Sequence, residues 1–203
     1  MLRDTIKQNQ DRWLKQLTEF LAIPSISTLP DHSADCLKAA DWLMVELRRL
    51  GCPKVELLEG RGHPTVWAES PKVAGAPTVL IYGHYDVQPV EPLEEWTTPP
   101  FQPTVRNGNL YARGAVDDKG QMYMHVKAIE ALFAAHGKLP VNVKFLIEGE
   151  EEIGGKSIAK FVAENQTRLK ADVALVSDTA LYAEGMPTLC IGLRGLIYME
   201  VEA

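Results

Sequence analysis

Three apolar runs, each passing straight into a polar or acidic segment, set the terms for any fold of this chain. Thr78–Tyr82 is apolar at nearly every position and continues into Gly83-His84-Tyr85-Asp86. Val141–Ile147 leads into Glu148-Gly149-Glu150-Glu151-Glu152, and Val173–Val176 into Ser177-Asp178. A short apolar run without alternation reads as a strand covered on both faces. Between the runs the period changes. Met122, Val126, Ile129 and Phe133 recur at helical spacing after Asp118, and Ile158, Phe161 and Val162 mark a shorter helix. Strand–helix–strand–helix–strand predicts an α/β fold: a mixed, mostly parallel sheet with helices on both faces. In such sheets sites form beyond the carboxyl ends of the strands, so the polar segments can converge.

The remainder of the chain supplies cover. Trp13, Leu14, Leu17, Phe20 and Leu21 lie at helical spacing ahead of Pro24, predicting an N-terminal helix packed by one face. A second helix is expected from about Ser33 to Leu50, closed by Gly51 and Pro53, followed by modest strands over Val55–Leu58 and Thr65–Ala68. Residues 88–108 carry Pro89, Pro92, Pro99, Pro100 and Pro103, which predicts one long loop beside His84 with no regular element. Leu189–Gly192 and Leu196–Glu202 read as two further strands, the second stopping at the last residue as if the chain were cut within a domain.

Composition excludes several classes. A chain of 203 residues, 46% of them hydrophobic, can bury a core without disulfide staples. Net charge is −6, and no block of Lys and Arg occurs, which argues against nucleic acid or an anionic membrane as partner. Residues 1–20 are charged and amphipathic and lack the apolar centre of a signal peptide; no apolar stretch is long enough to span a bilayer. Cys36, Cys52 and Cys190 have no metal-ligand spacing and are odd in number, which favours free thiols in a reducing, cytoplasmic setting. Asn165-Gln166-Thr167 fits a glycosylation acceptor by chance only.

His84, Asp86, Asp117, Glu151, Glu152 and Asp178 are the candidate site. In a strand, residues two apart share a face, so His84 can bind a metal while Asp86 fixes its ring. Alone, that pair is no more than a core histidine beside a turn aspartate. Asp117-Asp118 opens a helix. Asp118 reads as its N-cap, whereas Asp117, between Gly114 and Gly120, sits where tight backbone is allowed and can bridge two ions. Glu150-Glu151-Glu152 lies between a buried strand and Gly154-Gly155, where mutual repulsion has to be offset by cations. His32, His63, His125 and His136 lack a carboxylate two residues on and read as surface or core. One imidazole with several carboxylates suits a borderline or hard divalent ion; zinc fits best, with manganese the alternative.

The same segments resemble the M20 metallopeptidases. Gly83-His84-Tyr85-Asp86-Val87-Gln88-Pro89, Trp96, Pro100-Phe101, Leu110-Tyr111-Ala112-Arg113-Gly114 and Glu148-Gly149-Glu150-Glu151-Glu152 look like the branch of cytosolic non-specific and carnosine dipeptidases. The resemblance implies a zinc-exopeptidase-like catalytic domain, present in its N-terminal part over residues 1–190, with 191–203 opening a lid or dimerisation domain through which the full-length protein could form a homodimer. It implies His84 and Asp178 on one of two divalent ions, Asp117 bridging to the other, Glu152 on the second, Glu151 as general base and Asp86 orienting His84. It places one more metal-binding histidine, and the residues that grip a substrate carboxylate, beyond residue 203. It also implies a cis peptide bond between Asp117 and Asp118. The activity so implied is metal-dependent hydrolysis of the amide bond in dipeptides or short peptides. An N-acyl-amino-acid deacylase using the same ions is the nearest rival. A non-catalytic binding protein of this fold would be expected to have lost Glu151 or a ligand, and all are present.

Overall fold

The computed structural model describes residues 1–58 and 62–202, and in it the helices α1 (Leu2–Leu21) and α2 (Ser33–Arg49) form as their periodicity predicts. Phe20 and Leu21 are fully buried at the end of α1, and Ala39, Ala40, Leu43 and Leu47 along α2. Gly51, at φ 94°, ends α2 in the left-handed conformation that glycine adopts most readily.

The strands β1 (Lys54–Leu58), β2 (Thr65–Glu69) and β3 (Thr78–His84) follow, then a hairpin of β4 (Thr104–Arg106) and β5 (Asn109–Tyr111). Helix α3 (Lys119–His136) leads into β6 (Asn142–Glu148), and α4 (Lys156–Glu164) and α5 (Gln166–Leu169) lead into β7 (Val173–Val176). The main sheet has the order β1-β2-β6-β3-β7. It is mixed, as expected, with its parallel pairings in the β6-β3-β7 half: His84 lies opposite Glu148, and Tyr82 opposite Val176. The β1-β2 and β2-β6 pairs are antiparallel.

Pleating sends alternate residues to opposite faces. Ala68, Phe145 and Ile81 are cross-strand neighbours and join Val66 and Ile147 in the buried cluster with α2 and with Met122, Val126 and Ile129 of α3. Each large side chain so buried contributes about 1.5–3 kcal/mol. Trp67 and Leu146 occupy the other face. There the Arg168 guanidinium lies 4.6 Å from the Trp67 ring, and Lys144 Nζ donates to Arg168 O and Lys170 O at 2.6 and 2.8 Å. Helical segments therefore cover both faces.

The three N-terminal and central helices are fastened by a buried polar network. Lys127 Nζ on α3 reaches Glu46 Oε2 on α2 at 2.9 Å and Glu130 Oε2 at 2.8 Å. Gln16 of α1 donates to both Glu46 oxygens, Arg49 pairs with Glu46, and Arg12 pairs with Glu130.

Two expectations fail. Residues 88–108 are not wholly irregular: Leu93–Glu95 form a 3₁₀ turn, and β4 starts directly after Pro103. The prolines precede the ladder, so they remove no hydrogen bond from it. The expected strands at 189–192 and 196–202 are absent; those residues form no ladder and expose Leu189, Ile191, Leu196 and Ile197. A strand exists only against a partner edge, which alternation of side chains alone does not provide. Ala203 lies outside the described residues.

Candidate metal centre

His84 is the last residue of β3 and is fully buried. Gly83 lets it lie close to α3: a Cβ there would sit 2.7 Å from Asp118 Oδ2 and 3.0 Å from Met122 Cγ. Gly120 does the same for the turn before α3, since a Cβ would fall 2.0 Å from the Ala115 carbonyl oxygen. That turn carries Asp117, and the Asp117–Asp118 peptide is cis. Glu151 and Glu152 occupy a 3₁₀ turn just past β6, and Asp178 stands two residues past β7. Four chain segments thus bring their polar ends to one edge of the parallel half-sheet, where such folds place their sites.

The imidazole is held by its Nδ1, 3.1 Å from the Asp86 carbonyl oxygen and 3.3 Å from Asp86 Oδ1. Both the main chain and the carboxylate of Asp86 therefore orient the ring. Asp86 is itself fixed: Oδ2 accepts from Ser27 Oγ at 2.6 Å and from Glu152 N at 3.1 Å. With a proton on Nδ1, the Nε2 lone pair points at acids. Asp117 Oδ1 is 3.2 Å away, Asp178 Oδ2 3.6 Å and Glu151 Oε2 4.0 Å. Nε2 is buried and has no hydrogen-bond partner among the described residues. A lone pair facing carboxylate oxygens is repulsive unless a proton or a cation lies between them, so the donor set fits a divalent ion.

The electrostatics agree. Burial pulls the His84 pKa down, but the Asp86 contact and the charges of Asp86, Asp118 and Glu151 outweigh it and raise the pKa to about 10. Burial pushes Glu151 above its usual range, and the negative charges of Asp178, Asp86 and Asp117 add to this against the pull of His84. Glu152 is raised by burial and by Asp117, while the bond from Gln88 Nε2 at 2.7 Å opposes. The two carboxyls are raised by burial first and by neighbouring negative charge second.

The donors form two overlapping triads, His84–Asp117–Glu152 and His84–Glu151–Asp178, each with its ligand atoms within 4.8 Å of one another. Asp117, Glu151, Glu152, Asp178, Asp86 and His84, all expected from the sequence, are brought together. Glu150 is not. It turns inward, accepting from His63 N and Ser157 N at 3.1 Å each, so main-chain amides and not cations satisfy the first acid of that run. Asp118 occupies the N-cap position of α3 without capping it; its buried Oδ2 accepts from His84 N at 3.1 Å, tying the end of β3 to the mouth of α3. Burial raises Asp118 to about 7, opposed by His84. His32 pairs with Asp35, and His125 bonds Ser177 Oγ at 2.6 Å; neither joins a triad. Ser27 and the bond that Glu150 accepts from His63 N left no signal in the sequence, because each depends on a segment far along the chain.

Residues 80–194 match the sequence profile described as Peptidase family M20/M25/M40. The chain is 34% identical over 195 residues to the cysteinylglycine-S-conjugate dipeptidase of Corynebacterium striatum, covering 92% of this chain and 41% of that protein. Human carnosine dipeptidase 1 superposes with a TM-score of 0.83 at 32% identity, over 89% of this chain and 41% of its own. The M20 family metallo-carboxypeptidase Sso-CP2 of Sulfolobus solfataricus superposes with a TM-score of 0.75 at 42% identity, over 81% and 37%. The chain thus spans about two fifths of the length of these relatives.

Proposed function

The chain belongs to peptidase family M20/M25/M40, and from that membership we propose that it hydrolyses the amide bond of dipeptides or short peptides at the cluster around His84. The observation that carries this reading is the buried, unpartnered Nε2 of His84 facing Asp117, Asp178 and Glu151 at 3.2, 3.6 and 4.0 Å. Likeness to a dipeptidase over 92% of the chain supports the substrate class.

Two divalent ions, zinc before manganese, would polarise the scissile carbonyl and lower the pKa of the attacking water. His84, Asp117, Asp178 and Glu152 would hold them. Asp86 is a positioning residue: it keeps the proton on Nδ1 and so leaves the Nε2 lone pair free. Glu151 is less buried than His84, and its affinity for a proton is raised by burial and neighbouring acids. It would take the proton of the attacking water and return it to the leaving amine. Residues 1–190 belong to the catalytic domain in this reading, and 191–203 to the start of a lid that could also pair two copies. No described helix is long and apolar enough to cross a membrane. The free thiols of Cys36, Cys52 and Cys190 favour a cytoplasmic setting.

The test is an assay of chelator-stripped protein reloaded with zinc or manganese, on a panel of dipeptides and N-acyl amino acids. Metal-dependent cleavage of dipeptides is expected. Cleavage of N-acyl amino acids alone, or cleavage indifferent to metal, contradicts the proposal.

A further inference from the structure

Helix α3 reaches the acidic cluster with more than its first turn. Asp118, at its N-cap, and His125 are seven residues apart, about two helical turns, so they lie on one side of the helix with the buried Met122 between them. Asp118 Oδ2 accepts from His84 N at 3.1 Å. Two turns on, His125 Nε2 meets Ser177 Oγ at 2.6 Å. One side of α3 therefore grips the ends of two parallel strands, β3 at His84 and β7 one residue ahead of Asp178.

The second grip matters because of where Asp178 stands. β7 is the end strand of the described sheet, its Val173 and Val176 are exposed, and its pairing with β3 stops at Val176. The end of such a strand opens easily. Ser177 and Asp178 have already left the ladder, yet Asp178 Oδ2 comes within 3.6 Å of His84 Nε2. Other acids of the cluster are clamped by bonds to their own oxygens: Asp86 by Ser27 Oγ and Glu152 N, and Glu152 by Gln88 Nε2. The Asp178 carboxylate has no such donor among the described residues apart from His84 itself. Its neighbour Ser177 has the bond to His125 instead. Burial pulls the half-buried His125 below the usual imidazole pKa, so at neutral pH the ring carries one N–H and one lone pair. It can then bond the hydroxyl in either sense.

We propose that His125 is a positioning residue for the metal centre: by holding Ser177 against α3 it sets the distance between Asp178 and His84. This role rests on the proposed reading of Asp178 as a metal ligand.

The test is zinc titration by calorimetry of chelator-stripped wild type, His125→Ala, His125→Gln, Ser177→Ala and the double variant His125→Ala/Ser177→Ala, with the melting temperature of each metal-free protein measured alongside. His125→Ala is expected to weaken zinc binding about tenfold, as loss of a partner that orients a ligand does. Ser177→Ala should weaken it equally and leaves the helix untouched, so it carries the test if His125→Ala fails to fold. The double variant should be no weaker than either single one, since all three cut the same bond. His125→Gln, whose amide can also bond the hydroxyl, should recover part of the affinity. A bond that serves stability alone would lower the melting temperature and leave the zinc affinity of the folded protein unchanged. That result, or losses that add in the double variant, overturns the proposal and leaves the metal centre standing. Wild-type protein that takes up no zinc would instead defeat the reading of the cluster as a metal centre, and this role of His125 with it.

Discussion

Two places in this molecule gather carboxylates around a buried polar group, and they are balanced differently. Around Glu46, acids meet cations of the same chain: Lys127 lies 2.9 Å from Glu46 and 2.8 Å from Glu130, and Arg49 and Arg12 complete the pairing. Around His84, five carboxylates converge on a single imidazole with no lysine or arginine in the cluster among the described residues. The first arrangement is complete within the fold and serves to join three helices. The second is left short of positive charge, and that deficit is what the proposed ions would meet.

The comparison is broken most severely by removing the proposed base. Glu151→Gln keeps the shape of the side chain, so hydrolysis in any assay that shows it should fall by about 10²–10⁴-fold with metal content unchanged. Loss of metal in this variant would reassign Glu151 as a ligand, which the triad it forms with His84 and Asp178 allows. Stability should respond with opposite sign in the two places. Lys127→Ala removes the buried cation shared by Glu46 and Glu130, leaving Glu46 to Arg49 and Gln16, and should destabilise the fold by about 1–3 kcal/mol in urea titration. Asp178→Asn in metal-free protein removes one repelling acid and should leave stability unchanged or raise it by up to about 1 kcal/mol. Two losses of similar size would erase the distinction.

A smaller effect follows from Glu148, whose carboxyl burial pushes up to about 7, with the Tyr82 hydroxyl at 2.5 Å opposing. A carboxyl raised in the folded state favours folding while protonated. Metal-free protein should therefore lose stability as pH rises from about 4.5 to about 7, with a slope from this group of at most ~1.4 kcal/mol per pH unit. Chemical denaturation of wild type and Glu148→Gln across that window checks it; the variant should show the flatter profile.

Much of this was legible before the structure. Apolar runs ending in Tyr82, Ile147 and Val176 gave the three parallel strands, and the polar residues following them gave the cluster. What stayed hidden depended on tertiary approach. Ser27 is 59 residues from Asp86 and carries no mark of bonding it. Asp118 read as a helix cap because its true acceptor role needs β3 beside α3. Glu150 resembled its two neighbours until its oxygens met the amides of His63 and Ser157. The β4-β5 hairpin did have a signal: Asn107-Gly108, with φ of 51° and 80°, is the two-residue turn that closes it, and five nearby prolines obscured it.

The central claim is that the charge deficit around His84 is met by divalent metal. Zinc titration of chelator-stripped protein, read by calorimetry and by melting temperature, tests it most directly. One ion should bind tightly and a second weakly or not at all, if, as the family resemblance implies, His84, Asp117 and Asp178 serve one position while Glu152 and the shared Asp117 serve the other. Saturation at about 100 times Kd should stabilise the fold by about 2.7 kcal/mol, and His84→Ala should abolish both signals. Two equally tight ions would contradict the unequal pair, and zinc that neither binds nor stabilises, or that binds His84→Ala as well as wild type, would contradict the account itself.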